Sequence, residues 1–308
     1  MDHDDLLNLM ERNGFRGVIV PVSRADEVIE EIRSLHQKGA FDKGFFNEWM
    51  PPRLNAKPPR SLRNPKSILL ISAPACQRRV TFHYKGETHE FIVPPTYGRG
   101  DAVRRQVRKL VKGIDEEDRP RLADAIPPLK LLAVRSGLAM YGRNNVTYVP
   151  GHGSFHRLLA FYTDVDAPNG QWIEKKALPK CSTCRACISA CPTSAISKDR
   201  FLIKAERCLS CMNERTNAHP FPRWVKPGSH NAIVGCMTCQ RVCPYNREFL
   251  DDIEDGPSFS EEDTAYILRG KYSGKRAAAI RRKLNSAGVD MSILPRNLEA
   301  LLSRPRSK

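Results

Sequence analysis

The chain has 308 residues, 41% hydrophobic and 27% charged, a balance that excludes a disordered chain and suits a soluble protein of one or two domains. Lys and Arg number 50 against 34 Asp and Glu, and the net charge of +16 favours polyanionic partners such as nucleic acid. No run of about eighteen apolar residues occurs, and the opening Met1-Asp-His-Asp-Asp5 is acidic where a secretory leader is basic; a cytoplasmic, reducing location with no membrane partner is expected.

Residues 1–175 are predicted to alternate helix and strand. Asp4–Glu11 reads as a helix and Gly17–Val22 as a strand; Ala25–Lys38 carries Val28, Ile29, Ile32 and Leu35 at helical spacing. A Pro-rich connection from Pro51 to Pro65 leads into the apolar strand Ser67–Ala73, and Val80–Tyr84 is the next predicted strand. Arg104–Ile114 reads as an amphipathic helix. Val103, Val107, Leu110, Val111 and Ile114 form its inner stripe, with Arg104, Arg105, Arg108, Lys109 and Lys112 mostly outside. Leu129–Arg135 is predicted helical and stops near Gly137, and Phe155–Tyr162 is a candidate buried strand.

Residues 176–250 change character. Nine of the ten cysteines fall here among prolines at 179, 192, 220, 222, 227 and 244. So loop-rich a segment buries little apolar core, and metal must supply part of its folding energy. Residues 251–308 form a short basic segment, predicted helical from 255 onward. Arg269–Lys283 holds seven Lys or Arg and no acid, and Leu294–Leu302 is a closing helix. The expectation is an α+β protein: an α/β domain over 1–175, a bacterial ferredoxin-like double-cluster domain over 176–250 and a helical C-terminal segment over 251–308.

The first cysteine run is Cys181-x2-Cys184-x2-Cys187-x3-Cys191-Pro192, and the second is Cys236-x2-Cys239-x3-Cys243-Pro244, with Cys208 upstream in place of a first position. A cubane cluster needs four thiolates converging tetrahedrally. Two-residue gaps wrap three of them onto one face, and in bacterial two-cluster ferredoxins the Cys before Pro serves the other cluster. By that rule Cys181, Cys184, Cys187 and Cys243 hold one [4Fe–4S] cluster, and Cys191, Cys208, Cys236 and Cys239 the other. Cys211 competes with Cys208. Structural zinc also uses paired C-x2-C, but it does not call for three in a row closed by Cys-Pro, given twice. Cys76 ends a predicted core strand and reads as a small buried hydrophobe. Two clusters form a one-electron wire or a two-electron reservoir, and the rest of the chain is expected to hold a redox partner, cofactor or substrate.

Cys181–Pro192 continues into Thr193-Ser-Ala-Ile196, and Arg207-Cys-Leu-Ser210 and Gly235-Cys-x2-Cys-Gln-x-Val-Cys-Pro-Tyr-Asn246 follow. This pattern resembles the epoxyqueuosine reductase family, which completes queuosine synthesis in tRNA with cobalamin and two [4Fe–4S] clusters and is related to the reductive dehalogenases. Asn13-Gly-Phe15, Lys66-Ser-Ile68, Gly142-Arg-Asn144, Gly153-Ser-Phe155 and Arg296-Asn297 resemble further family positions. The chain departs from the family where Tyr97-Gly-Arg-Gly-Asp-Ala102 stands in place of Asp-Tyr-His, and where Ala139-Met-Tyr-Gly-Arg143 stands in place of Gly-Trp-x-Gly-Lys.

The resemblance favours Cys208 over Cys211 as a ligand and implies that residues 1–175 form a cobalamin-binding-like domain. Arg143 or Asn144 would meet the corrin amides, and Gly153 and Ser154 the corrin edge, unless these form an ordinary turn. Asp124, in Asp124-Ala-Ile-Pro127, would be the proton donor, kept protonated by burial, with a helix N-cap as its alternative role. tRNA phosphates would meet the 99–112 helix and the 269–283 segment, unless these are solvated helix faces. An electron donor such as ferredoxin or flavodoxin would feed the clusters. His152 and His156 share no helical face and are not read as metal ligands. The implied activity is reduction of epoxyqueuosine to queuosine in tRNA. The alternatives are a diverged reductase of another substrate, or an electron-transfer protein that reduces a separate corrinoid or redox partner.

Overall fold

A computed structural model of the chain describes residues 1–62, 64–98, 100–168 and 172–304. Arg63, in the Pro-rich connection, and Arg99, at the head of the expected basic helix, lie outside the described residues. In chain order the elements are α1 (His3–Arg12), β1 (Arg16–Pro21), α2 (Arg24–Gln37), α3 (Lys43–Trp49), β2 (Ser67–Pro74), β3 (Gln77–Tyr84), β4 (Glu87–Val93), α4 (Gly100–Lys112), β5 (Leu122–Ala125) and α5 (Leu129–Arg135). Then follow β6 (Met140–Tyr141), β7 (Thr147–Tyr148), β8 (His156–Thr163), α6 (Ala186–Ala190), α7 (Leu209–Asn213), α8 (Thr238–Arg241), β9 (Ile253–Phe259), α9 (Glu261–Leu268), α10 (Gly274–Ala287) and α11 (Leu294–Leu302). They form two compact units: residues 1–74 with 100–184, and the intervening stretch from 75 with everything from 185 onward.

Unit one is built on an antiparallel sheet of order β1-β2-β8-β5. β2 lies between β1 and β8, with Leu69 opposite Ile19 on one side and Phe161 on the other. Side chains alternate between two cores. Ile68, Leu70, Ala160 and Tyr162 pack with Val28 and Ile32 of α2, Phe46 of α3 and Leu132 and Val134 of α5. Leu69, Ile71, Leu159 and Phe161 pack with Leu6 and Met10 of α1 and Val107 and Val111 of α4. Helices thus cover both faces, which is why β2 reads as an unbroken apolar run. Truncating Leu69 or Leu70 to Ala would cost about 2–5 kcal/mol. α1 and α3 start on aspartates: Asp2 accepts from Asp5 N at 2.9 Å and Asp42 from Phe45 N at 2.8 Å. α3 escaped the sequence reading because seven residues carry too few turns to show a period.

Unit two carries a sheet of order β4-β3-β9. β3 and β4 form a hairpin closed by Lys85 and Gly86, with φ of +54° and +74°, the left-handed pair a two-residue turn requires. β9 runs parallel to β3, pairing Arg79 with Asp255 and Phe82 with Phe259. This pairing puts Val80–Tyr84, expected with the N-terminal segment, into unit two. A Cβ at Gly256 would lie 2.9 Å from Arg78 Cγ, so close approach there needs glycine. The core joins Val80, Phe82 and Phe259 to Ile267, Ile280, Leu284, Leu294 and Leu298 of α9 to α11, and to Ile233 and Val234 of the cysteine segment.

Candidate iron–sulfur centres and cofactor site

The cysteine segment folds into short turns. α6 and α7 have five residues each and α8 four. In unit one, Cys181 and Cys184 sit on a tight turn, their amides donating to Leu178 O and Lys180 O at 2.9 Å each. In unit two, α6 carries Cys187, α8 carries Cys239, and the two helices pack together. Each is followed by Cys-Pro in the same extended backbone, Cys191 at φ −65°, ψ 112° and Cys243 at φ −79°, ψ 123°. Proline disfavours helix in the residue before it, so Cys-Pro turns the fourth thiol away from the other three. Ala195 N donates to Cys191 Sγ at 3.3 Å. The duplicated half-motif read from spacing is therefore also a duplicated backbone.

Cys208, extended at φ −72°, ψ 125°, precedes α7, which carries Cys211. A hydrogen bond from Cys211 pulls the Cys208 thiol down to about 6, helped by the Ser210 and Cys211 amides and opposed by burial. Burial pushes the Cys236 thiol up, offset in part by Asn231 Nδ2 at 3.2 Å and by Thr238. Negative charge on Cys208 also raises Cys236, so these two expected ligands of one cluster are electrostatic neighbours. Among the described residues no three His, Cys, Asp or Glu are gathered as a site for a single metal ion. Cys76 is half-buried between β2 and β3 and is not the core residue expected.

The frame around these thiols comes from residues with no cysteine-like signal. Asn297 on α11 donates to Asn213 O and Ile233 O at 2.8 Å each, and Asn213 donates to Gly235 O at 2.7 Å. Arg296 donates to Met212 O at 2.7 Å, Arg215 O at 2.9 Å and His219 O, and lies 4.1 Å over the Phe221 ring. Burial, then Arg215, pulls the Arg296 guanidinium down to about 10. Tyr97 donates to the Glu214 carboxylate, and a Cβ at Gly235 would lie 2.6 Å from the Tyr97 ring. The resemblance had singled out Arg296-Asn297 and Gly235, and Tyr97 as a departure, whereas Asn213, Glu214 and Phe221 carried no signal.

In unit one, the four residues expected around a corrin fall on neighbouring turns before β8. Arg143 and Asn144 occupy the loop of the β6–β7 hairpin, and Gly153, at φ +53°, and Ser154 close the next turn. Asn144 is 5% exposed: Nδ2 donates to Tyr148 Oη at 3.1 Å, and Oδ1 accepts from Val146 N at 3.3 Å. Ser154 is fully buried. Both side chains are buried within their turns. The Arg143 guanidinium and the Gly153 backbone remain partly exposed and fit a group rich in amides.

Asp124 is not the buried acid expected. It lies on β5, 46% exposed at the side chain, with Arg104 and Arg108 at 2.7 and 2.8 Å. Nor does it cap a helix, since α5 starts after Pro128. Arg104 and Arg108 also lie 5.5 and 5.8 Å over the Phe161 ring.

Residues 180–246 match the family described as "4Fe-4S double cluster binding domain". The epoxyqueuosine reductase of Aliivibrio fischeri is 35% identical over 152 residues, covering 47% of this chain and 39% of its own length. That of Vibrio cholerae is 32% identical over 223 residues, with 67% and 58% covered, and that of Pseudomonas aeruginosa 28% over 224, with 66% and 60% covered. The chain spans less than two thirds of the length of these relatives. The structure of epoxyqueuosine reductase from Streptococcus thermophilus has the same fold, with a TM-score of 0.65 at 19% identity over 98% of this chain and 81% of that one. A crystal structure of epoxyqueuosine reductase with an epoxyqueuosine-modified tRNA-Tyr stem loop gives 0.63 at 18% identity, over 97% and 80%. No helix among the described residues is long and apolar enough to cross a membrane.

Matched domain and duplicated cysteine runs together define a double-cluster iron–sulfur protein, with two [4Fe–4S] clusters as its resident cofactors. In sequence it is similar to epoxyqueuosine reductases, and it shares their fold, as the motifs implied.

Proposed function

We propose that the chain is a reductase that removes the epoxide oxygen of epoxyqueuosine in tRNA. The observation that carries this reading is the double cysteine run closed each time by Cys-Pro, in a chain similar to epoxyqueuosine reductases over up to 78% of its length. Converting an epoxide to an alkene takes up two electrons and two protons and releases one water. Two clusters, each passing one electron at a time, supply such a reaction. Cys181, Cys184, Cys187 and Cys243 serve one cluster, and Cys191, Cys208, Cys236 and Cys239 the other.

Cobalamin is the further group implied by the resemblance, and when bound it supplies a strongly reducing, nucleophilic cobalt. Arg143 would hydrogen-bond its amides and the Gly153 backbone would border it. Asp124, paired with Arg104 and Arg108, serves in this reading as an ion-pair partner. A low-potential carrier of the ferredoxin or flavodoxin class would refill the clusters, and a reducing cytoplasm suits ten cysteines.

The test is anaerobic reconstitution with iron, sulfide and cobalamin, followed by incubation with reductant and tRNA carrying epoxyqueuosine, and mass spectrometry of the nucleosides. About eight irons per chain and conversion to queuosine are expected. Full iron loading with no queuosine, with or without cobalamin, would overturn the substrate assignment.

A further inference from the structure

Two polar side chains of unit two converge on the sulfur of Cys236. Asn231 Nδ2 lies 3.2 Å from Cys236 Sγ and 3.0 Å from Thr238 Oγ1, and Thr238 Oγ1 lies 3.5 Å from the same sulfur. Met237 N donates to Asn231 Oδ1 at 2.8 Å. A backbone amide only donates, which fixes Oδ1 as the oxygen and turns the NH2 group toward the thiol. Ser229 O accepts from Nδ2 as well, at 3.0 Å, so its two hydrogens serve three acceptors and one is shared.

A neutral Cys236 thiol can donate to Thr238 Oγ1. A cluster ligand is a thiolate and has no proton to give, so the Thr238 hydroxyl then donates to the sulfur while its lone pairs accept from Asn231. Asn231 thus reaches Cys236 Sγ twice, directly and through Thr238, and bonds in such a chain strengthen one another.

We propose that Asn231 and Thr238 set the reduction potential of the second cluster through their bonds to Cys236 Sγ; the proposal rests on the reading of Cys236 as a ligand of that cluster. One electron arrives from the low-potential carrier, and no bond forms or breaks. The added negative charge falls in part on the thiolates, and a donor binds a sulfur more strongly as that sulfur becomes more negative. The two side chains therefore favour the reduced state and raise the potential. A residue that only fastened the loop would hold both states alike.

The test is an EPR-monitored redox titration of the anaerobically reconstituted protein, with iron counted in every variant. The signal that Cys236→Ala lacks belongs to the second cluster. Thr238→Val keeps the shape and loses the hydroxyl; it should make that cluster about tenfold harder to reduce, a midpoint about 59 mV lower for one electron, with about eight irons retained. Asn231→Asp keeps an oxygen for Met237 N and removes the donor, and should lower the midpoint at least as far. Thr238→Ser should restore the wild-type value.

Wild-type midpoints in Thr238→Val and Asn231→Asp, or a shift in Thr238→Ser equal to that in Thr238→Val, would overturn the proposal. So would loss of iron from Thr238→Val, which would make the hydroxyl a folding bond; where Asn231→Asp loses its iron, Thr238→Val decides. If Cys236→Ala keeps about eight irons, the ligand reading itself fails. If it keeps about four and the other midpoints do not move, the ligand reading stands and this proposal alone fails.

Discussion

Ser72 on β2 and His156 on β8 meet at 3.0 Å through Oγ and Nδ1, and Ser72 makes the same 3.0 Å contact with Nδ1 of His152. One hydroxyl has one proton, so Ser72 donates to at most one ring and accepts from at least one. Thr147 Oγ1 lies 3.0 Å from the other nitrogen of His156, which holds that ring on both sides between β7 and β8. The chain His152–Ser72–His156–Thr147 satisfies polar groups that would otherwise be buried without partners beneath the turns at Arg143 and Gly153.

Acid should loosen this unit through His156. Burial first, and His152 second, push His156 down to about 3, and His152 is lowered as well. The unfolded chain takes up these protons near pH 6.5, so the native state binds fewer protons below that value. The stabilisation from His156 is complete above about pH 6.5 and is lost as pH falls toward 3, at about 1.4 kcal/mol per pH unit, and His152 acts in the same direction. Anaerobic thermal melts between about pH 7 and pH 5 should fall in wild type, and less steeply in His156→Gln, which starts lower. Parallel slopes in the two proteins would sink the idea.

Asp124→Asn should leave turnover within about threefold of wild type, because removing a general acid costs about 10²- to 10⁴-fold and an ion-pair partner does not. With Asp124 half exposed, the loss of stability should stay under about 1 kcal/mol. Single-turnover conversion of epoxyqueuosine in tRNA decides it: a hundredfold loss would restore Asp124 to the chemistry.

Cys191→Ala tests the crossed ligand pattern. It should retain about four irons, and the EPR signal left behind should match that of Cys239→Ala and differ from that of Cys181→Ala. A Cys191→Ala spectrum matching that of Cys181→Ala would mean that Cys191 serves its own run.

Gly288 closes α10 at φ +78°, and a Cβ there would run into the Tyr97 carbonyl. Gly86, in the β3–β4 turn, has φ +74° with nothing within 4 Å. Gly86→Ala should therefore cost about 1 kcal/mol, the left-handed penalty alone, and Gly288→Ala at least about 2–3 kcal/mol. Denaturant melts of the cluster-loaded protein measure both, and equal losses would remove the role assigned to the Tyr97 contact.

The sequence by itself determined what depends on near neighbours in the chain. β2 and β8 were legible because strands buried on both faces need unbroken apolar runs, and α2, α4 and α5 because a buried stripe recurs every turn. The cysteine runs were legible because a cubane restricts the loop that wraps it, and Cys-Pro restricts the backbone that leaves it. Lys85-Gly86 was a usable hairpin signal that the reading passed over. Tertiary structure alone decided what depends on distant partners. β9 contains Gly256-Pro257, which reads as a breaker, and it becomes a strand only because β3 offers a parallel edge 176 residues away. Asp124 looked like an acid awaiting burial until the fold laid Arg104 and Arg108 against it. Arg104 and Arg108 read as outward cations of one helix, and only the fold pairs both with Asp124. Periodicity and ligand spacing are local constraints, whereas charge neutralisation and sheet pairing are settled by which segments meet in space.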